Sequence, residues 1–133
     1  MTDETAVWYI KDTATDRRVR FTGQKLCRAY YHADPLEYRR WVCLSIYQIS
    51  SDIQPIRMKF RGESPVEKNM IAEAKKYEGS YVLSVKDHRD ENEYEVFKFV
   101  SQADFCTEAE IFFEPYILLT PRFETIRSFY NKV

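Results

Sequence analysis

A chain of 133 residues with 44% hydrophobic and 16% aromatic side chains is long enough for one domain around one core. A net charge of −1 removes the electrostatic case for nucleic acid or an anionic membrane surface. No apolar run approaches the roughly 20 residues of a spanning helix.

Ala6-Val7-Trp8-Tyr9-Ile10 is a short apolar run that fits helix or strand by periodicity. Arg18-Val19-Arg20-Phe21 alternates as a strand does, and residues 25–31 form a second strand candidate. His32-Ala33-Asp34-Pro35 is turn chemistry, because proline biases its predecessor away from helix. Residues 41–49, Trp-Val-Cys-Leu-Ser-Ile-Tyr-Gln-Ile, read as a clear strand. Ile56-Arg57-Met58-Lys59-Phe60-Arg61 alternates strictly and predicts a half-buried strand. Residues 66–76 favour helix by propensity, yet they sit between strands. Residues 81–86 predict another strand, and 87–92 a charged turn.

Residues 94–101 and 109–119 are both rich in β-branched and aromatic residues, so both are expected as strands. Thr120-Pro121 is an N-cap followed by proline at the first helical position. Phe123, Ile126, Phe129 and Tyr130 then recur at helical spacing, which predicts a C-terminal helix over 121–130. The whole makes about seven or eight strands, a sandwich or barrel, in a single domain over 1–133.

Motifs of common chemistry are missing. There is no G-x-G-x-x-G, P-loop or G-x-S-x-G. His32 and His88 fall in loop-like segments without metal-ligand spacing, and each reads as solvated. Cys27, Cys43 and Cys106 have no C-x-x-C spacing. The run Asp87-His88-Arg89-Asp90-Glu91-Asn92-Glu93 lacks the EF-hand pattern and reads as a solvated hairpin tip. The expectation is a binding module, not an enzyme, with no cofactor and no metal. Glu95, Glu110 and Glu114 lie within or beside apolar runs. Such a carboxylate either faces solvent or, if inward, must be paired, protonated or kept for a cationic ligand. Read as a strand, 109–119 puts Glu114 and Tyr116 on one face. Phe97 and Phe99 likewise share a strand face with Glu95.

Taken together, the strands, terminal hairpin and last helix resemble a lipocalin, and more specifically the tick salivary lipocalins. Trp8 is similar to an early tryptophan before the first barrel strand. Tyr31-His32-Ala33-Asp34-Pro35 resembles a Tyr-x-x-Asp-Pro element, with Cys43 following at the family's spacing. Residues 94–106 resemble the strand leading to the family's second cysteine, and Glu114-Pro115-Tyr116 its Glu-Leu-Trp/Tyr. The resemblance implies an all-β fold: an eight-stranded antiparallel barrel with a C-terminal α-helix. It implies ligand contacts at Tyr31, Asp34, Glu114 and Tyr116, with Phe97 and Phe99 lining the wall. It further implies a secreted monomer without its signal peptide, sequestering a biogenic amine such as histamine or serotonin, or a lipid mediator such as a leukotriene or fatty acid. The alternative is a filled barrel whose surface binds a host macromolecule.

The chain departs from that family. Cys106-Thr107-Glu108 stands where amine binders carry Cys-Asp and an aliphatic residue. No cysteine follows Cys106, so the family's disulfides cannot form as a set. Cys27 and Cys43 flank the Asp34-Pro35 turn symmetrically; they either bridge or leave three free thiols, with Cys106 free in both cases.

Overall fold

The computed structural model describes residues 5–32, 40–55, 80–90 and 92–132. Five strands run through them: β1 (Ala6–Asp12), β2 (Arg17–His32), β3 (Trp41–Pro55), β4 (Tyr81–Asp87) and β5 (Tyr94–Val100). They pair in chain order as one antiparallel sheet. Its two outer strands come round to meet. The Thr13 N–H donates to the Glu95 carbonyl at 2.8 Å, and the Glu95 N–H to Thr13 Oγ1 at 3.1 Å. The sheet is therefore a curled half-barrel.

The curl begins at β1 and β2. Asp12 ends β1 by accepting the Ala14 and Thr15 N–H groups on Oδ1 at 3.0 and 3.1 Å. Asp16 then takes a φ of 54°, a left-handed conformation that aspartate tolerates. The two expected strands at Arg18–Phe21 and 25–31 are one long strand, β2. Register shifts at Phe21/Thr22, Thr22/Gly23 and Lys25/Cys27 bend it instead of breaking it. Trp8 lies inside the first strand, not before it, and its Nε1–H donates to the Gly23 carbonyl at 2.9 Å.

Alternation along β3 and β4 divides the core in two. Val42, Leu44, Ile46, Leu83 and Val85 face the helices. Tyr47, Ile49 and Val82 face into the curl, where Ile10, Val19, Phe21, Phe97 and Phe99 meet them. The helical layer is α1 (Phe105–Ile117), a 3₁₀ turn at Pro121–Phe123, and α2 (Glu124–Lys132).

Helix α2 and its cap match the sequence reading. Thr120 Oγ1 accepts the Arg122 N–H at 3.3 Å and Pro121 opens the turn. Phe123, Ile126 and Tyr130 are buried, and Phe129 packs partly buried beside them. Each such side chain stabilises by roughly 1.5–3 kcal/mol.

Helix α1 corrects it. Residues 109–119 were expected as a strand, and α1 runs through them to Ile117. Phe105, Ala109, Phe113 and Ile117 recur every fourth residue and are all buried, while Glu110, Ile111 and Glu114 are exposed. Burying that stripe against β4 outweighs the β propensity of the individual residues. Pro115 sits in the last turn on the exposed side, where it removes a single backbone donor. The eight-strand count included this segment. It also included residues 56–61, which lie outside the described residues, as do 66–76.

All three cysteines are free thiols. Across the β2–β3 pair, Cys27 stands opposite Ile46 and Cys43 opposite Tyr30. Cys27 packs on the helix side and Cys43 belongs to the inner face, so the two cannot bridge. Among the described residues no helix is long and apolar enough to cross a membrane.

Candidate functional site

Strand register builds an array on the inner face of the sheet. Residues directly opposite one another share a face. One row is Lys25, Tyr47, Val82 and Phe99; the next is Arg28, Ser45, Ser84 and Phe97; the third is Tyr30, Cys43, Lys86 and Glu95. The smallest side chains meet at the centre: Cys43, Ser45 and Ser84, all buried. Around them stand Lys25, Arg28, Tyr30, Tyr47, Lys86 and Phe97. Ser45 Oγ lies 3.7 Å from Cys43 Sγ. Ser84, 3% exposed, stands directly opposite Ser45.

The cations rest on rings. Lys25 Nζ lies 4.6 Å from the Trp8 ring centre and 5.9 Å from that of Tyr47. The Arg28 guanidinium lies 5.6 Å from the Tyr30 ring centre. Among the described residues, none of Lys25, Arg28 and Lys86 forms an ion pair. Burial pushes the Lys25 ammonium below its ordinary range, and the charges of Arg28 and Lys86 push it the same way. Burial raises the Tyr47 phenol against the hydrogen bond it shares with Ser45. The inner face thus holds excess positive charge against aromatic walls. That arrangement attracts an anion with an apolar body.

A second cluster closes the third row. His88 Nε2 lies 3.1 Å from Glu95 Oε2, and His88 Nδ1 3.6 Å from Glu93 Oε1. Lys11 Nζ stands 3.5 Å from the same Glu95 oxygen. The imidazole stacks on Trp41 with ring centres 4.0 Å apart, and Trp41 stacks on Tyr30 at 5.4 Å. In place of the solvated ring that the sequence predicts, the His88 imidazole is partly buried between an indole and a buried carboxylate. The His88 backbone N–H donates to the Trp41 carbonyl at 2.8 Å, one position beyond the Val42–Asp87 pair of the β3–β4 ladder.

The residues singled out in the sequence do not converge. Phe97 and Phe99 share the buried inner face with Glu95, as expected. Tyr31 faces the helices, edge-on to Phe123 at 6.2 Å. Asp34 lies outside the described residues. Tyr116 and Glu114 sit on α1, across the sheet from Phe97, and on a helix two residues apart do not share a face. Tyr116 joins α1 to the β4–β5 hairpin. Its hydroxyl donates to Asp87, which accepts two side-chain bonds from Arg89 at 2.9 and 2.8 Å. Burial pushes the Asp87 carboxyl up, but those bonds from Arg89 outweigh it and the net shift is down. Burial, aided by the Asp87 charge, pushes the Tyr116 phenol up to about 12. Glu114 lines a groove of about 340 Å³ between α1 and α2, with Glu110, Ile111, Leu118, Arg127 and Tyr130.

Lys25, Arg28, Lys86 and Ser84 are not legible in the sequence because they come from two strands, β2 and β4, that do not pair with each other but both flank β3. Only the register places them together. The available signal was parity: in 41–49 the odd residues are the more polar set, which marks a face that is not plain core. Comparison with known protein families, with curated proteins and with solved structures finds no match to this chain.

Proposed function

We propose that this chain is a binding protein that holds a small anionic amphipath, such as a fatty acid or another carboxylate-bearing lipid mediator, on the inner face of its curled sheet. One observation carries the reading. Lys25, Arg28 and Lys86 stand together among Trp8, Tyr30 and Tyr47 without an ion-pair partner among the described residues. A carboxylate would pair with the cations beside Ser84, while its apolar tail would lie along Phe97 and Phe99. This is the lipid half of the expectation drawn from the lipocalin resemblance. Its finer form is a secreted, monomeric, eight-stranded barrel that sequesters a host mediator by mass action, without chemistry. An amine is disfavoured on the inner face, because Glu114 lies on α1 and the Glu95 carboxylate already meets His88 and Lys11.

Calorimetric titration with oleate, a leukotriene, histamine and serotonin tests the reading. The anions are expected to bind with Kd near or below ~10 μM, about −7 kcal/mol, and the amines not at all. Arg28→Glu should weaken oleate at least tenfold without moving the melting temperature, since Arg28 is exposed. Glu114→Gln should leave it unchanged. If no anion binds below about 100 μM, the small-ligand reading fails and a surface-binding role for macromolecules takes its place.

A further inference from the structure

The cluster at the base of the β4–β5 hairpin has a donor set that the anion array does not use. His88, Glu93 and Glu95 each offer one ligand atom, and these atoms all lie within 4.8 Å of one another. Ligands of a single Zn²⁺ ion stand about 2.0–2.2 Å from the metal, hence roughly 3–4 Å apart. The His88 Nε2 to Glu95 Oε2 separation, 3.1 Å, already falls in that range. Glu93 Oε1 stands 3.6 Å from the ring's other nitrogen, Nδ1, so its side chain, 57% exposed, has to turn towards Nε2 to complete the set.

The other two ligands are held before any ion arrives. Glu95 is buried, and its backbone is tied on both sides to Thr13, through the carbonyl at 2.8 Å and the N–H at 3.1 Å. The His88 ring lies on Trp41 with an interplanar angle of 28°, and its backbone is fixed by the Trp41 carbonyl. A ring fixed by stacking and a carboxylate fixed by its strand lower the ordering cost of coordination. Two carboxylates face one imidazole here, with Lys11 as the cation at Glu95. A dication would neutralise both carboxylates, and Lys11, half-exposed, can swing to water.

We infer that His88, Glu93 and Glu95 form a binding site for a divalent transition-metal cation, with Zn²⁺ the best fit. One imidazole and two carboxylates, without sulfur, suit Zn²⁺, Co²⁺ or Ni²⁺ better than Ca²⁺, which takes six or more oxygens. Three protein ligands leave a fourth position for water or a ligand group. Lys11, and Lys86 opposite Glu95 in the sheet, oppose the ion and hold the affinity to the micromolar range. The rival arrangement is a protonated His88 clamped between the two carboxylates with no metal at all.

Titration of the full chain with ZnCl₂ at neutral pH decides between them. One equivalent should bind with Kd on the order of micromolar. Glu93→Gln, an exposed change that leaves the fold intact, should weaken binding at least tenfold, and so should His88→Ala. Lys11→Ala should tighten it. Co²⁺ or Ni²⁺ should quench the emission of Trp41, which stacks on the ligand ring, and the quench should vanish in Trp41→Phe while Trp8 still emits. No saturable Zn²⁺ binding below about 100 μM would overturn the site in favour of the protonated clamp. Binding unchanged in both Glu93→Gln and His88→Ala would overturn it too, by moving the metal to other residues. Neither result bears on oleate binding, which uses different side chains.

Discussion

Gly23 passes so close to Gln48 that a Cβ on it would stand 2.2 Å from the Gln48 carbonyl oxygen. The approach occurs where β2 shifts register against β3 between Thr22 and Gly23, at one of the points where the strand bends. That bend carries β1 round to β5, and the Thr13–Glu95 bonds depend on it. Gly23→Ala must push two backbones apart, with no flexible side chain to yield. A loss of about 3 kcal/mol is expected. Urea denaturation measures it, and an unchanged midpoint would show that the close approach is dispensable.

Tyr116 should mark the docking of α1 in alkaline solution. Its phenol is pushed up to about 12, first by burial and then by the Asp87 charge. The folded value lies above the unfolded value of about 10. The neutral phenol therefore contributes stability in full below about pH 10, and loses it as pH rises towards 12. Tyr116→Phe removes that dependence. A difference titration of phenolate absorbance between the two proteins should show one tyrosine ionising near 12. A missing phenol that ionises with the exposed tyrosines would refute the Asp87–Tyr116 bond.

Much of this fold was legible from residue pattern, and the failures have physical causes. β4, β5 and the start of β3 stand out because each is a β-branched and aromatic run bounded by polar residues. The last helix was legible because Thr120, Pro121 and the Phe123–Ile126–Tyr130 stripe agree with one another. α1 was misread for the opposite reason. Ile111, Phe112 and Tyr116 fill the gaps in its Phe105–Ala109–Phe113–Ile117 stripe, so the run looks continuously apolar, and Pro115 looks like a break. With that error, Glu114 and Tyr116 took strand geometry they do not have. The inner-face site was hidden for another reason. No local pattern tells that Lys25, Ser84 and Lys86 come together, since that depends on pairing between distant strands.

The helical reading of α1 makes its own stability prediction. Phe113 is 0% exposed and stacks near Tyr130 of α2 with ring centres 6.4 Å apart. Phe113→Ala should cost about 3–5 kcal/mol, the usual loss for a buried phenylalanine. Glu110→Ala, one helical turn away but exposed, should change stability by less than about 0.5 kcal/mol. Thermal denaturation of the pair compares them directly. Equal losses would mean that the buried stripe is not the one described.

Anion binding should carry a proton signature from Lys25. Burial lowers its ammonium below 10.5, and the nearby charges of Arg28 and Lys86 act in the same direction. The folded protein thus disfavours the charged form of Lys25. A bound carboxylate reverses the balance, because it favours that charged form. Binding then raises the Lys25 value, and the complex takes up protons at alkaline pH. Affinity for oleate should fall as pH rises through the free-state value, which lies below 10.5. Calorimetry in two alkaline buffers of different ionisation enthalpy reads the uptake. Lys25→Met should abolish it and weaken binding roughly tenfold, about 1.4 kcal/mol, the lower range for a hydrogen bond to a charged group. Higher salt should weaken the wild type more than the variant, since one fewer charge pair is screened. Proton uptake that persists in Lys25→Met would move the ligand's carboxylate away from Lys25 and break the proposed pose.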